Sequence, residues 1–192
     1  ELNDVIRHRE AQRKQRQRHH IPVVCIAGYT NAGKSTLLNR LTDSHVLEED
    51  QLFATLDPTT KSLQFESGFQ VLLTDTVGFI RKLPHHLVDA FRSTLEEVKY
   101  SDLILHVVDA SNPQREKQME TVYETLTQLG AGKQTVVTAF NKVDLLSEEE
   151  LLKDAHAEKT VRISAKTGEG LDELLKSIEE LLKKQKLYLE KT

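Results

Sequence analysis

"PVVCIAGYTNAGKSTLLNRLT", residues 22–42, decides how the rest of the chain is read. "PVVCIAG" is a short apolar run with β-branched residues, "YTNAG" is a polar loop closed by a glycine, and "KSTLLNRLT" brings leucines back at helical spacing. Strand, glycine loop and helix in that order are the context in which G-x-x-x-x-G-K-[ST] acts as a phosphate cradle. The backbone of Gly28, Tyr29, Thr30, Asn31, Ala32 and Gly33, and the first helical turn through Lys34, Ser35 and Thr36, are expected to face phosphate groups. There the amides and the positive end of the helix favour an anion. Lys34 is expected to reach the β- and γ-phosphates as a catalytic group, and the Ser35 hydroxyl to ligate Mg2+. Kinases and ATPases share the pattern, so it points to phosphate without naming a base.

Outward from this stretch, strands and helices alternate. Apolar runs at 22–27, 69–73, 103–108 and 135–140 are short and β-branched or Leu-rich, as in strands buried on both faces of a parallel sheet. "SLQFE" (62–66) alternates polar and apolar and turns through Ser67 and Gly68 into Phe69, which reads as an antiparallel edge strand in a hairpin. Met119, Val122, Tyr123, Leu126 and Leu129 lie at helical spacing, as do Leu171, Leu174, Leu175, Ile178, Leu181 and Leu182. Asn112-Pro113 reads as a helix N-cap with a first-turn proline, and Ser147 with Glu150 as a capping box. The expected fold is an α/β P-loop NTPase domain of the Ras-like type. It would have a mostly parallel six-stranded sheet, one antiparallel edge strand, helices on both faces and ligands at the carboxyl ends of the strands.

Length and composition agree with one such domain. A chain of 192 residues buries roughly 70% of its unfolded surface. With 38% hydrophobic and 29% charged residues and no apolar run of membrane-spanning length, no membrane partner is expected. The one cysteine, Cys25, lies inside an apolar strand and reads as a buried thiol of a reducing, cytoplasmic setting. Residues 1–20 hold six Lys/Arg against three acids, plus 3, so the remainder carries minus 7 of the net minus 4. That basic segment, from Arg7 to Arg18, reads as the end of a helical linker able to touch RNA phosphates. DNA is not an expected partner. The boundaries read as 1–20 linker, 21–185 nucleotide-binding domain and 186–192 tail, and the initial Glu1 reads as the start of a segment of a longer chain.

The base and the γ-phosphate are read further along. "NKVD" ends the strand "QTVVTAF", and Asp144 can accept the two guanine donors that adenine lacks, while Asn141 and Lys142 complete the motif. A site built around such bonds rejects analogues strongly, because its own carboxylate would be left unpaired. GTP and GDP are therefore the expected ligands, and a P-loop kinase reading is disfavoured. "SAK", Ser164 to Lys166, follows the strand "TVRI" and would bring the Ala165 amide to guanine O6. In "LLTDTVG", Asp75 ends a strand and is expected to hold Mg2+ through a water, with Thr76 and Val77 beside it and the Gly78 amide on the γ-phosphate. "LFATLDPTTK" would be the other switch, with Phe53, Ala54, Thr55, Leu56 and Asp57 against the nucleotide. Thr55, Thr59 and Thr60 compete as its Mg2+ ligand. Thr55 is preferred because the segment resembles F-x-T-hydrophobic-x-P of related translation GTPases.

"GYTNAGKSTLLNRLT", "LFATLDPTTK" and above all "DTVGFIRKLPHHLVDAFRSTLEEV" closely resemble the HflX family of ribosome-associated GTPases. The resemblance covers residues 21 to about 170 and reaches back into the basic stretch. It implies a cytoplasmic GTPase that binds the large ribosomal subunit, dissociates ribosomes and cycles on GTP. In that family an N-terminal domain precedes the G domain, and ribosome binding is expected to need it.

Phe79 stands where Ras-like enzymes carry a water-orienting Gln. A phenyl ring cannot polarise water, so a slow intrinsic rate is expected, completed by the ribosome in trans or by K+ held at Asn31, for which a plain loop hydrogen bond is the competing reading. A nucleotide-dependent binding module with negligible hydrolysis is the competing reading. His85 and His86 raise a zinc site, but with no Cys or carboxylate at ligand spacing they read as a solvated pair.

Overall fold

The computed structural model describes residues 21–43, 60–75, 98–147 and 150–189. Six strands form one sheet: β1 (Val23–Gly28), β2 (Thr60–Gln64), β3 (Gln70–Asp75), β4 (Leu103–Asp109), β5 (Thr135–Asn141) and β6 (Lys159–Arg162). Among the described residues the helices between and after them are α1 (Lys34–Asp43), α2 (Arg115–Gln128) and α3 (Leu171–Leu189), with a helical end at 98–99 and a 3-10 turn at Val143–Leu145.

The strand order is β2-β3-β1-β4-β5-β6, with every pair parallel except β2 against β3. The hairpin and edge strand expected from "SLQFE" are present, with the strand itself placed two residues earlier, at Thr60–Gln64. The apolar run of β1 is buried throughout, as a central parallel strand covered on both faces must be. Its alternate residues pack on different helices. Val24 and Ile26 join Leu37, Leu38 and Leu41 of α1 and Leu174, Ile178, Leu181 and Leu182 of α3 in one core cluster. Cys25 and Ala27 join Val122 and Leu126 of α2 in another. Removing such a side chain, as in Ile26→Ala, costs about 2–5 kcal/mol.

β3 and β4 flank β1 on opposite sides, so successive connections leave in opposite directions at its carboxyl end, where doubly wound sheets open a ligand crevice. Register brings the chemistry there. Ile26 pairs with Asp75, Gly28 with Val107 and Asp109 with Asn141, so four strand ends converge on one rim. Gly28 is required by this approach: a Cβ there would lie 2.4 Å from the Val107 carbonyl oxygen, a backbone atom with nowhere to go.

Two local expectations are corrected. α2 starts at Arg115 with Gln114 as its N-cap, because the Asn112 Oδ1 accepts the Gln114 N–H at 2.8 Å and makes a turn one step ahead of the helix. Past the capping box at Ser147 and Glu150 the described residues 150–158 are irregular, where a helix was expected. Glu150 is taken by tertiary partners instead. Its carboxylate pairs with Arg115 at 2.6 Å and its carbonyl accepts from Arg162 Nη1 at 2.6 Å.

Candidate functional site

The loop between β1 and α1 is shaped by two left-handed residues. Asn31 has φ of 62°, which Asn tolerates better than most side chains, and Gly33 has φ of 97°. At Gly33 a Cβ would fall 2.3 Å from the Asn141 Nδ2. The first turn of α1 contains no acidic residue, so no side chain of that turn offsets the positive end of the helix.

Lys34 is buried and its ammonium donates to the Tyr29 carbonyl at 3.0 Å, which folds the side chain back over the loop. Burial lowers its pKa, with the Asp75 charge opposing. Asp75 shows the converse: burial raises its pKa, against the Ser35 hydrogen bond and the Lys34 charge. The Ser35 hydroxyl donates to Asp75 Oδ2 at 3.2 Å, which brings together two side-chain oxygens from motifs 40 residues apart. Asp75 Oδ1 is buried with no hydrogen-bond partner among the described residues. An alcohol and a carboxylate with a spare buried oxygen are hard donors of the kind Mg2+ takes. Among the described residues no cluster of three or more His, Cys, Asp or Glu could hold a metal, and no helix is long and apolar enough to cross a membrane.

Asn141 joins two loops to the strand end it occupies. Its Nδ2 donates to the Ala32 carbonyl at 2.9 Å, and its Oδ1 accepts the Ala165 N–H at 2.9 Å. The Ala165 amide, expected from sequence to face guanine O6, is thus engaged by Asn141. Ser164 is fully buried and its Oγ accepts the Thr167 N–H at 3.1 Å, which closes the loop bearing Lys166. Lys142 has φ of 67°, an uncommon backbone for a lysine, and its ammonium donates to the Asn31 carbonyl at 2.9 Å and pairs with Asp109 at 2.5 Å. Asp144 is exposed, as the second residue of the 3-10 turn that follows Lys142.

Residues from three separated motifs thus meet at one place: Gly28 to Thr36, Asn141 to Asp144, and Ser164 to Lys166, with Asp75 alongside. Phe53, Ala54, Thr55, Leu56 and Asp57, and Thr76, Val77 and Gly78, lie outside the described residues, as do Thr59, Phe79, His85, His86 and the basic segment. Asp109 was not apparent from sequence. The signal was an acid followed by "AS" at the carboxyl end of "LILHVV", where ligands of such sheets gather.

The sequence profile of the family described as "50S ribosome-binding GTPase" matches residues 23–142. A protein named GTPase HflX from Lacrimispora saccharolytica is 62% identical over 191 residues, covering 100% of this chain and 45% of that protein. The GTPase HflX of Escherichia coli is 41% identical over 184 residues, covering 94% of this chain and 43% of that protein. The chain therefore spans less than half the length of either relative. Among solved structures, a GTP-binding protein of Sulfolobus solfataricus in complex with GDP superposes with a TM-score of 0.68 at 26% identity, over 93% of this chain and 58% of that one.

Proposed function

This chain belongs to the 50S ribosome-binding GTPase family as a G domain of the HflX family, and from that premise we propose that it binds GTP and GDP and hydrolyses GTP as a molecular switch. The observation that carries the reading is Asn141, whose one amide group ties the phosphate loop to the loop of Ala165. The roles follow from the rim. The amides from Gly28 to Gly33 and the first turn of α1 cradle the phosphates, and Lys34 exchanges the Tyr29 carbonyl for β- and γ-phosphate oxygens. Asp144 accepts the guanine N1–H and amino donors. Ser35, and Asp75 through a water, would hold Mg2+, which would supply positive charge against the phosphate oxygens. Lys34, Thr55 and Gly78 are the catalytic set, with Thr55 as the switch-side Mg2+ ligand and residues 21–185 as the folding unit.

Phe79 has no group to orient water, so the intrinsic rate is low and control passes to a partner. The large ribosomal subunit is the proposed partner, supported by the family's description, and the proposed setting is cytoplasmic. Apart from the basic segment the chain carries minus 7, which repels RNA, so tight association needs the part of the longer relatives that lies outside this chain. K+ at Asn31 is the second proposed source of transition-state charge.

Competition titration against fluorescent GDP in Mg2+ tests the nucleotide reading. GTP should compete, ATP should be at least ~100-fold weaker, and Lys34→Ala should abolish triphosphate binding while leaving the far-UV dichroism intact. Equal competition by ATP and GTP overturns it. Phosphate release with and without large subunits, on this chain and on a longer one, tests the partner.

A further inference from the structure

Lysine is a flexible four-carbon arm, and Lys142 carries its ammonium across to the Asn31 carbonyl from a left-handed backbone. Something must hold it there against hydration. The Asp109 Oδ2 lies 2.5 Å from that ammonium, and the two side chains are 14% and 33% exposed for Asp109 and Lys142. The carboxylate is itself fixed: its Oδ1 accepts the Ser111 N–H at 3.0 Å and the Ser111 hydroxyl at 2.6 Å. The backbone is pinned as well, since Asp109 pairs with Asn141 in register and the Ala110 N–H donates to the Asn141 carbonyl at 2.9 Å. Burial alone would raise the Asp109 pKa, but the bonds from Lys142 and Ser111 prevail and lower it, so the group is ionised at neutral pH. This differs from a solvated ion pair, which loses its gain to side-chain entropy and screening. Here one partner is already immobile.

We propose that Asp109 is a positioning residue for nucleotide binding: clamped by Ser111, it holds the Lys142 ammonium on the phosphate loop and so sets the spacing between the base-reading and phosphate-reading loops. The proposal rests on the guanine-nucleotide reading above. Asp109 touches no ligand itself. Its loss leaves every base and phosphate contact available but makes their simultaneous formation less frequent, which raises the dissociation rate.

The test uses this chain with fluorescent GDP and Mg2+, comparing wild type, Asp109→Asn, Lys142→Met and the double variant for dissociation constant and nucleotide-free melting temperature. Asp109→Asn should weaken GDP about 10-fold, Lys142→Met at least as much, and the double variant no more than Lys142→Met alone, as coupled neighbours behave. The melting temperature of Asp109→Asn should stay within about 2 °C of wild type, no more than about 1 kcal/mol would shift it. A purely structural role would lower melting and leave affinity, measured well below the transition, unchanged. Affinity within twofold of wild type, or effects that multiply in the double variant, overturns the proposal. Should Asp109→Asn not fold, Ser111→Ala decides the matter by freeing the carboxylate without removing its charge. About threefold weaker GDP supports the clamp, and wild-type affinity overturns it. If the wild-type chain binds no GDP, the nucleotide reading itself fails and this inference with it.

Discussion

Strands β4 and β5 carry two polar clusters three residues apart, and the two are satisfied in opposite ways. At the carboxyl ends Asp109 faces Asn141 in register, and their cluster grips loop backbone: the carbonyls of Asn31 and Ala32 and the N–H of Ala165. Three residues back, His106 faces Thr138, and there the bonds run mostly between side chains. Asp154 accepts the Thr138 hydroxyl at 2.6 Å, the Tyr123 hydroxyl at 2.6 Å and the His156 N–H at 3.0 Å. Tyr123 stands edge-on to His106 at 5.1 Å between ring centroids, and His156 leans over its other side at 4.6 Å. The outer cluster shapes a rim that something else completes. The inner one is satisfied by groups of the fold itself, the His106 Nδ1 excepted, and ties the irregular residues 150–158 to the sheet. Depth decides between them, because buried polar atoms away from the rim must find partners within the fold.

The inner cluster should therefore be a matter of stability and the outer one of affinity. Asp154→Ala removes the acceptor of two hydroxyls and an N–H, and at about 1–3 kcal/mol for each buried donor left unpaired a loss of about 3 kcal/mol in unfolding free energy is expected. GDP affinity measured well below melting should move less than about twofold, within the ~0.5 kcal/mol to which distant sites are independent. A large affinity loss with unchanged denaturation would erase the distinction between the clusters. Asn141→Ala reverses the pattern: GDP binding should fall about 30-fold, near 2 kcal/mol, as both loops lose their shared tie. Isothermal titration beside urea denaturation separates the two quantities.

The smallest effect is in pH. Burial disfavours the His106 cation and lowers its pKa, with the Asp154 charge opposing, and its Nδ1, 3.8 Å from Asp154 Oδ2, has no hydrogen-bond partner among the described residues. Burial would raise the Asp154 carboxyl, yet His106 and the bonds from Thr138, Tyr123 and the His156 N–H hold it below the ordinary carboxylate range. Both folded values lie below the unfolded ones, so both contributions are complete above the unfolded pKa and are lost on acidification. The His106 part should fade as pH drops from about 7 to 5, because the unfolded chain takes up the proton that the core refuses; the Asp154 part goes only below about pH 4. Urea midpoints at pH 7.5 and 5.5 should show a fall for wild type and a smaller one for His106→Phe. Equal falls would assign the dependence to other histidines.

What could be read in advance followed from short-range regularities. The strands were legible because burial on both faces demands uninterrupted apolar runs, and the phosphate loop because strand, loop glycines, Lys34 and Ser35 occupy adjacent positions. Local signals misled where distant partners were stronger. The capping box at Ser147 and Glu150 is a sound local pattern, but a bond to Arg115 and another to Arg162 hold Glu150 in a non-helical course. Asp154 carries no local mark at all, and Asp109 only its place at the carboxyl end of an apolar strand.

By itself the sequence determined the order of elements, the doubly wound sheet, the antiparallel edge strand and the residues of the nucleotide motifs, since each depends on hydrophobic period or on neighbours a few positions away. Only the tertiary structure decided which groups share a hydrogen bond across 109 residues, as Asn141 and Ala32 do, or across 33, as Lys142 and Asp109 do. Those pairings depend on strand order and register, which place residues remote along the chain within 3 Å of each other. No periodicity in the sequence encodes that distance.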